Sequence, residues 1–147
     1  MSVTLENLLG LSLEAITPSR EQTARLLAAA ERNLQDASLD ALSNENRFDA
    51  AYKAVMQLAM AALQANGFRT LKSRPGHHQT AIQSLPKTIG LPVEQMLVFD
   101  ALRKQRHLAD YSGELISDAA VIECIDGGNA LLAQVKAWLH ATKPALV

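Results

Sequence analysis

Several things are scarce in this sequence, and each scarcity excludes something. A single cysteine, Cys124, rules out an internal disulfide framework and any multi-cysteine metal site. No run approaches the roughly 18 consecutive apolar residues of a membrane-spanning helix, so no membrane association through a span is expected. The opening stretch MSVTLENLLG lacks a basic segment leading into an apolar run, so no signal peptide is expected and the protein is expected to be cytoplasmic. Aromatic residues are 4% of the chain, which leaves few rings for stacking on bases. Charge of one sign is not in excess: 14 basic side chains face 15 acidic ones, a formal net of −1, so overall charge does not point to a nucleic-acid partner. No segment alternates apolar and polar residues for long enough to read as a strand.

What is present is an aliphatic, alanine- and leucine-rich chain of 147 residues, 48% hydrophobic and 20% charged, the composition of one globular domain with a single core. Residues 1–147 read as one helical domain, with 1–18 as an N-terminal extension holding a short amphipathic stretch, Leu5 to Leu13. Ser19 with Gln22 has the pattern of a capping box, and the helix it opens should run to about Asp36 with Ala24, Leu27, Ala28 and Leu34 on one face. Ser43 to Asn46 opens a second long helix carrying Phe48, Ala51, Tyr52, Val55, Met56, Ala59, Ala62 and Leu63, closed by Asn66-Gly67. A loop follows to Gly76, then a shorter helix from His78 to Leu85, stopped by Pro86 and Gly90. Pro92 suits the first turn of the next helix, which carries Met96, Phe99 and Leu102 and breaks around Tyr111-Ser112-Gly113. Ser117 and Asp118 cap the last long helix, with Ile122, Ile125, Leu132, Val135 and Leu139 as its buried stripe; Gly127-Gly128 implies close packing of a neighbour there. The predicted fold is all-α, an antiparallel bundle of four to five helices.

The near-zero net charge conceals a basic middle. Residues 1–66 hold five basic and eight acidic side chains, and residues 108–147 hold two basic and five acidic ones. Residues 67–107 hold Arg69, Lys72, Arg74, Lys87, Arg103, Lys104 and Arg106 against Glu94 and Asp100, a net of +5, together with His77, His78 and His107. Such a run is either a solvated surface or a local phosphate-binding patch, which needs only local potential. His77 and His78 are consecutive, so on a helix their rings point about 100° apart and do not suit one metal ion; no metal and no cofactor are expected. Cys124 sits in an apolar helical pattern with no histidine a turn away, and reads as a small core hydrophobe. Arg103, Arg106, His107 and Asp110 stand at i, i+3, i+4 and i+7 of one helix, with Tyr111 a turn beyond His107. An arginine, a histidine, a carboxylate and a phenol on one face can bind a phosphodiester and move protons; the same residues can also be an exposed helix end whose cations favour the dipole.

Two stretches carry a resemblance to a known family. One is Phe48-Asp49-Ala50-Ala51-Tyr52-Lys53-Ala54, leading on to Asn66-Gly67-Phe68-Arg69-Thr70 and Gly76-His77-His78; the other is Phe99-Asp100-Ala101-Leu102-Arg103 with Arg106-His107 and Asp110-Tyr111. In these the chain resembles the HEPN proteins, the helical family of prokaryotic toxin–antitoxin and defence systems, and within it a bacterial branch of small stand-alone members. The resemblance implies a helical RNA- or nucleotide-binding bundle. Catalytic HEPN members are metal-independent ribonucleases whose motif is an arginine, a polar residue and, a short spacer later, a histidine. Arg106 fits the arginine and His107 the polar position, but Tyr111 stands where the histidine falls, and Arg103 with His107 is one residue too close. A phenol is a poor base near neutral pH, so His107 is the only group of the run suited to proton transfer.

The resemblance therefore implies Arg106, His107 and Tyr111 as the catalytic positions of a degenerate site, with Arg69, Lys72, Arg74, His77, His78, Arg103 and Asp110 as RNA or phosphate contacts. It leaves cleavage itself open. It also implies a homodimer whose motif helices share a cleft, and a nucleotidyltransferase-type or antitoxin partner. The alternatives are a non-catalytic, antitoxin-like interaction subunit and a plain structural bundle without a ligand.

Overall fold

The computed structural model describes residues 4–71 and 76–147. Among the described residues are six α-helices: α1 (Arg20–Ala37), α2 (Asn44–Ala65), the short α3 (His77–Gln83) and α4 (Leu85–Thr88), α5 (Val93–Ser112) and α6 (Asp118–Thr142). Ser19, Ser43 and Ser117 open three of the four long ones in the same way. Each sits in extended backbone, and its hydroxyl accepts the backbone N–H three residues on, from Gln22, Asn46 and Ala120, satisfying a donor that the helix start leaves bare. The reciprocal half of the expected box at Ser19 is not made, because the Gln22 side chain accepts from Arg25 instead. Gly113 ends α5 in the left-handed region, at φ 68°, so the helix runs through Tyr111 and Ser112 before it breaks. Pro86 lies in the first turn of α4, where its missing N–H costs nothing, rather than acting as a stop.

The hydrogen bonds give the directions of the long helices. Thr23 bonds Gln64, Asn33 bonds Gln57 and Arg47 bonds the Ala37 carbonyl, so α1 and α2 are antiparallel. Gln134 bonds Gln95 while Gly127 faces Phe99, so α5 and α6 are antiparallel. Asn44 meets Asp118, and Val55 meets Gly128, so α2 and α6 run parallel and in direct contact. α2 is the central element, packed on every other helix and buried through Phe48, Ala51, Tyr52, Val55, Leu58, Ala62 and Leu63. Small residues let its partner approach: a Cβ on Gly128 would lie 2.7 Å from Leu34 Cδ2, and one on Gly127 would lie 3.0 Å from the Phe99 ring.

Four expectations are corrected. A two-stranded antiparallel sheet exists, β1 (Leu13–Ala15) against β2 (Phe68–Thr70), with Leu13 opposite Thr70 and Ala15 opposite Phe68. Strands of three residues are too short to show an alternation, and their pairing partner lies far along the chain. The Leu5 to Leu13 stretch is a single 3-10 turn (Leu5–Leu8) leading toward β1, and Leu5 and Leu13 are buried in the main core. The buried stripe of α6 is Val121, Cys124, Gly128, Leu131, Val135 and Leu139; Ile122 is 57% exposed and Leu132 and Ile125 are only half-buried. The stripe turns toward the glycine and the cysteine because α6 seats against α1 and α2 together, with Leu34 crowding Gly128 and the Phe48 carbonyl beside Cys124. α1 likewise buries Thr23, Ala30, Leu34 and Ala37, while Ala24 is exposed. Tyr52, Val55 and Phe99 are buried as expected.

Candidate functional site

Arg106 is the meeting point of three helices. Its guanidinium lies over the Tyr52 ring, 5.1 Å from the centroid, and its Nε donates to Asp49 Oδ1 at 3.1 Å, both partners being on α2. A second carboxylate, Asp110 one turn along α5, is 3.8 Å from its terminal nitrogen. Tyr52 reaches on to α3, where its hydroxyl and His78 Nδ1 are 3.3 Å apart. Two hollows meet at these residues. One, of about 300 Å³, is lined by Tyr52, His78, Arg103, Arg106, His107 and Tyr111. The other, of about 770 Å³, is lined by α1, α2 and the turn between them and shares Tyr52, His78 and Arg106 with the first.

The electrostatics follow from burial. Removal from water pushes the Tyr52 phenol up to about 12, against the pull of Arg106 and Arg103, so it keeps its proton. Burial, then His77, Arg106 and Arg103, lower the pKa of His78, which favours the uncharged ring. With the phenol protonated and the ring neutral, the Tyr52 hydroxyl and His78 Nδ1 share a hydrogen bond whose direction the ring tautomer sets. The His77 ring packs edge-on to His78 with centroids 4.6 Å apart. His107 and Tyr111 are a stacked pair, 4.5 Å between centroids, and both are exposed, Tyr111 at 80%.

The cations are not bare. Arg103 Nε donates to Asp100 Oδ1 at 3.0 Å, and Lys104 Nζ lies 3.7 Å from the other oxygen of that buried carboxylate. Arg106 faces Asp49 and Asp110, so the basic run of α5 is largely compensated where it stands.

The candidate residues thus separate into groups. Arg103, Arg106, His107, Asp110 and Tyr111 share the smaller hollow with His78, and His77 adjoins it. Arg69 does not join them: it lies on β2, ion-paired with Glu14 of β1, and lines a different hollow with Ile16, Leu26 and Gln64. Lys72 and Arg74 fall outside the described residues. Tyr52, read from the sequence only as a core residue, and Asp49 are the members that sequence reasoning missed as site residues; the available signal was an acid and a phenol one turn apart on the same helix. Burial pushes the Cys124 thiol up to about 12, with Glu123 and Asp49 adding to the effect, as befits a packed core residue. Among the described residues, no group of three or more histidine, cysteine, aspartate or glutamate side chains is placed to hold a metal ion.

Chemically, Arg106 keeps N–H directions beyond the one that Asp49 takes, and the Tyr111 hydroxyl can donate beside it. That is an arrangement suited to an anionic oxygen. No family model, no curated protein and no solved structure matches the chain.

Proposed function

We propose that this chain is a HEPN-like helical protein, of the toxin–antitoxin or defence type, that binds the phosphate of RNA or of a nucleotide at Arg106. The observation that carries the reading is the convergence of Arg103, Arg106 and His107 from α5 with Tyr52 from α2 and His78 from α3 around one hollow. In this reading Arg106 is the fixed cation and Tyr111 donates a hydrogen bond to the phosphate. His107 is the proton-transfer group, and with Tyr111 in the usual histidine position cleavage is weak or absent. The reaction, where it occurs, is attack of the ribose 2′-hydroxyl on the adjacent phosphorus, with loss of the 5′-oxygen and a 2′,3′-cyclic phosphate left behind.

The test is fluorescence anisotropy of a labelled single-stranded RNA with the purified chain in chelator, beside an assay for cyclic phosphate ends. Arg106→Ala is expected to weaken binding about tenfold, the worth of one lost charged hydrogen bond. Unchanged RNA affinity in that variant rejects the phosphate site, and strong cleavage that survives His107→Ala rejects the assignment of the proton-transfer group.

A second reading, an interaction subunit, rests on a separate observation. Leu97, Val98, Leu108, Leu115 and Ile122 are exposed apolar residues on α5, on α6 and on the turn between them. A second copy docking there would bring its own α5 beside Tyr111. Sedimentation showing only a 15.9 kDa species at working concentration would remove the second copy as the occupant of this face.

A further inference from the structure

A groove between α5 and α6 has a lining unlike that of the hollows at Arg106. It holds about 630 Å³. α6 contributes Ala119, Ile122, Glu123, Asp126, Gly127 and Ala130, which stand at i, i+3, i+4, i+7, i+8 and i+11 and so form one continuous ridge. From end to end that ridge spans about 16 Å, roughly three turns of helix. α5 contributes the exposed Val98 and the ring of Phe99, which packs against the bare face of Gly127. The small residues Ala119, Gly127 and Ala130 keep the ridge low, so that another helix can approach closely. Ile122 is the large apolar side chain among them, and it is exposed. The charged residues of the lining are both carboxylates, Glu123 and Asp126. Among the described residues neither has an ion-pair partner, whereas Asp49, Asp100 and Asp110 each face an arginine. An apolar trough with an acidic edge is complementary to a helix with an apolar face and a basic flank. It is not complementary to itself: two copies docked groove to groove about a two-fold axis bring Glu123 and Asp126 of both chains into one interface.

We propose that the α5–α6 groove receives a basic amphipathic helix of a partner protein, its apolar face on Val98, Phe99 and Ile122 and its lysines or arginines beside Glu123 and Asp126. The inference rests on the second reading above, that this side of the bundle is an interaction face, and it replaces a second copy by an occupant of opposite charge. A helix in a groove draws affinity from apolar anchors spaced i, i+3, i+4 and i+7. The acids at the edge steer a cationic helix inward and reject an anionic one.

The experiment is fluorescence anisotropy of labelled synthetic peptides titrated with the full chain. The probes are an amphipathic peptide of leucine, alanine and lysine, about 18 residues long so that it holds a helix, and the same peptide with glutamate for every lysine. The groove predicts binding of the lysine peptide and about tenfold weaker binding of the glutamate one, a comparison that needs no variant. Glu123→Lys with Asp126→Lys, both at exposed positions, should weaken the lysine peptide about tenfold, and Ile122→Ser should weaken it as well. Glu6→Lys with Glu21→Lys makes the same change of net charge elsewhere on the surface and should leave the affinity within about twofold. Equal loss in the two double variants, or unchanged affinity in Glu123→Lys with Asp126→Lys, overturns the groove as the docking site. No binding of the lysine peptide overturns the proposal. Sedimentation of the free chain then tests the reading beneath it: a dimer keeps the interaction face with a second copy as occupant, and a monomer leaves that face without one.

Discussion

At the residue scale the side chain with most to report is His78. Its neutral ring is favoured by burial first, and then by His77, Arg106 and Arg103, while Asp49 and Asp110 flank the arginine from the other side. In the unfolded chain a histidine titrates near ~6.5. The unfolded state therefore binds its proton more readily, and the contribution of the neutral ring is complete above that value. It is lost as pH falls from there toward the lower folded value. Carbon-detected histidine NMR should accordingly find His78 titrating below ~6.5, and the thermal midpoint of the wild type should fall more steeply on acidification than that of His78→Gln. Tyr52→Phe removes the hydroxyl bonded to His78 Nδ1, so in that variant the His78 titration should move. An unaltered His78 titration in Tyr52→Phe would show that this hydrogen bond does not hold the ring.

At the scale of elements the contact between α2 and α6 governs the packing. Gly128 lies against Leu34 and Val55, and the Ala51 carbonyl would be 3.8 Å from a Cβ placed there. Alanine is a better helix former than glycine by about 1 kcal/mol, which offsets part of the crowding that one methyl introduces at the Leu34 end. Valine brings further atoms and a restricted rotamer into the same space, so Gly128→Val should destabilise the fold by about 1–3 kcal/mol in urea titration. A variant as stable as the wild type would mean that α6 shifts without cost. The phase of α6 explains why Ile122 was expected inside and is found outside. Hydrophobicity alone favours the stripe with Ile122, and the bundle buries the stripe that seats against α1 and α2 together, where Leu34 crowds Gly128 and the Phe48 carbonyl lies beside Cys124.

At the scale of the molecule the described cations of residues 67–107 occupy separate places. Arg69 is held by Glu14 at the small sheet, Lys104 and Arg103 share Asp100, and Arg106 is held between two carboxylates. Binding of RNA should therefore depend on salt only weakly. One or two phosphates neutralised at Arg106 and its neighbours correspond to a slope of about −0.7 to −1.4 in log affinity against log salt for a single strand. A slope several times steeper, measured by anisotropy across salt concentrations, would show that a broad basic surface is at work and that the site at Arg106 is a minor part of it.

The helices, their serine caps and most of the α2 core were legible in the sequence, because capping and 3.6-residue periodicity are local signals read within a few neighbours. The grouping of Arg103, Arg106, His107, Asp110 and Tyr111 was legible for the same reason, since one helix face is a local property. Tertiary structure decided the rest. Asp49, Tyr52 and His78 join that face only because α2, α3 and α5 pack together, and the pairing of Asn33 with Gln57 exists only because α1 folds back along α2. The β1–β2 pairing and the exclusion of Arg69 from the cluster depend likewise on contacts between distant segments. Which stripe a helix buries, and which cation meets which carboxylate, is set by how closely two surfaces approach, and that distance is a property of the pair.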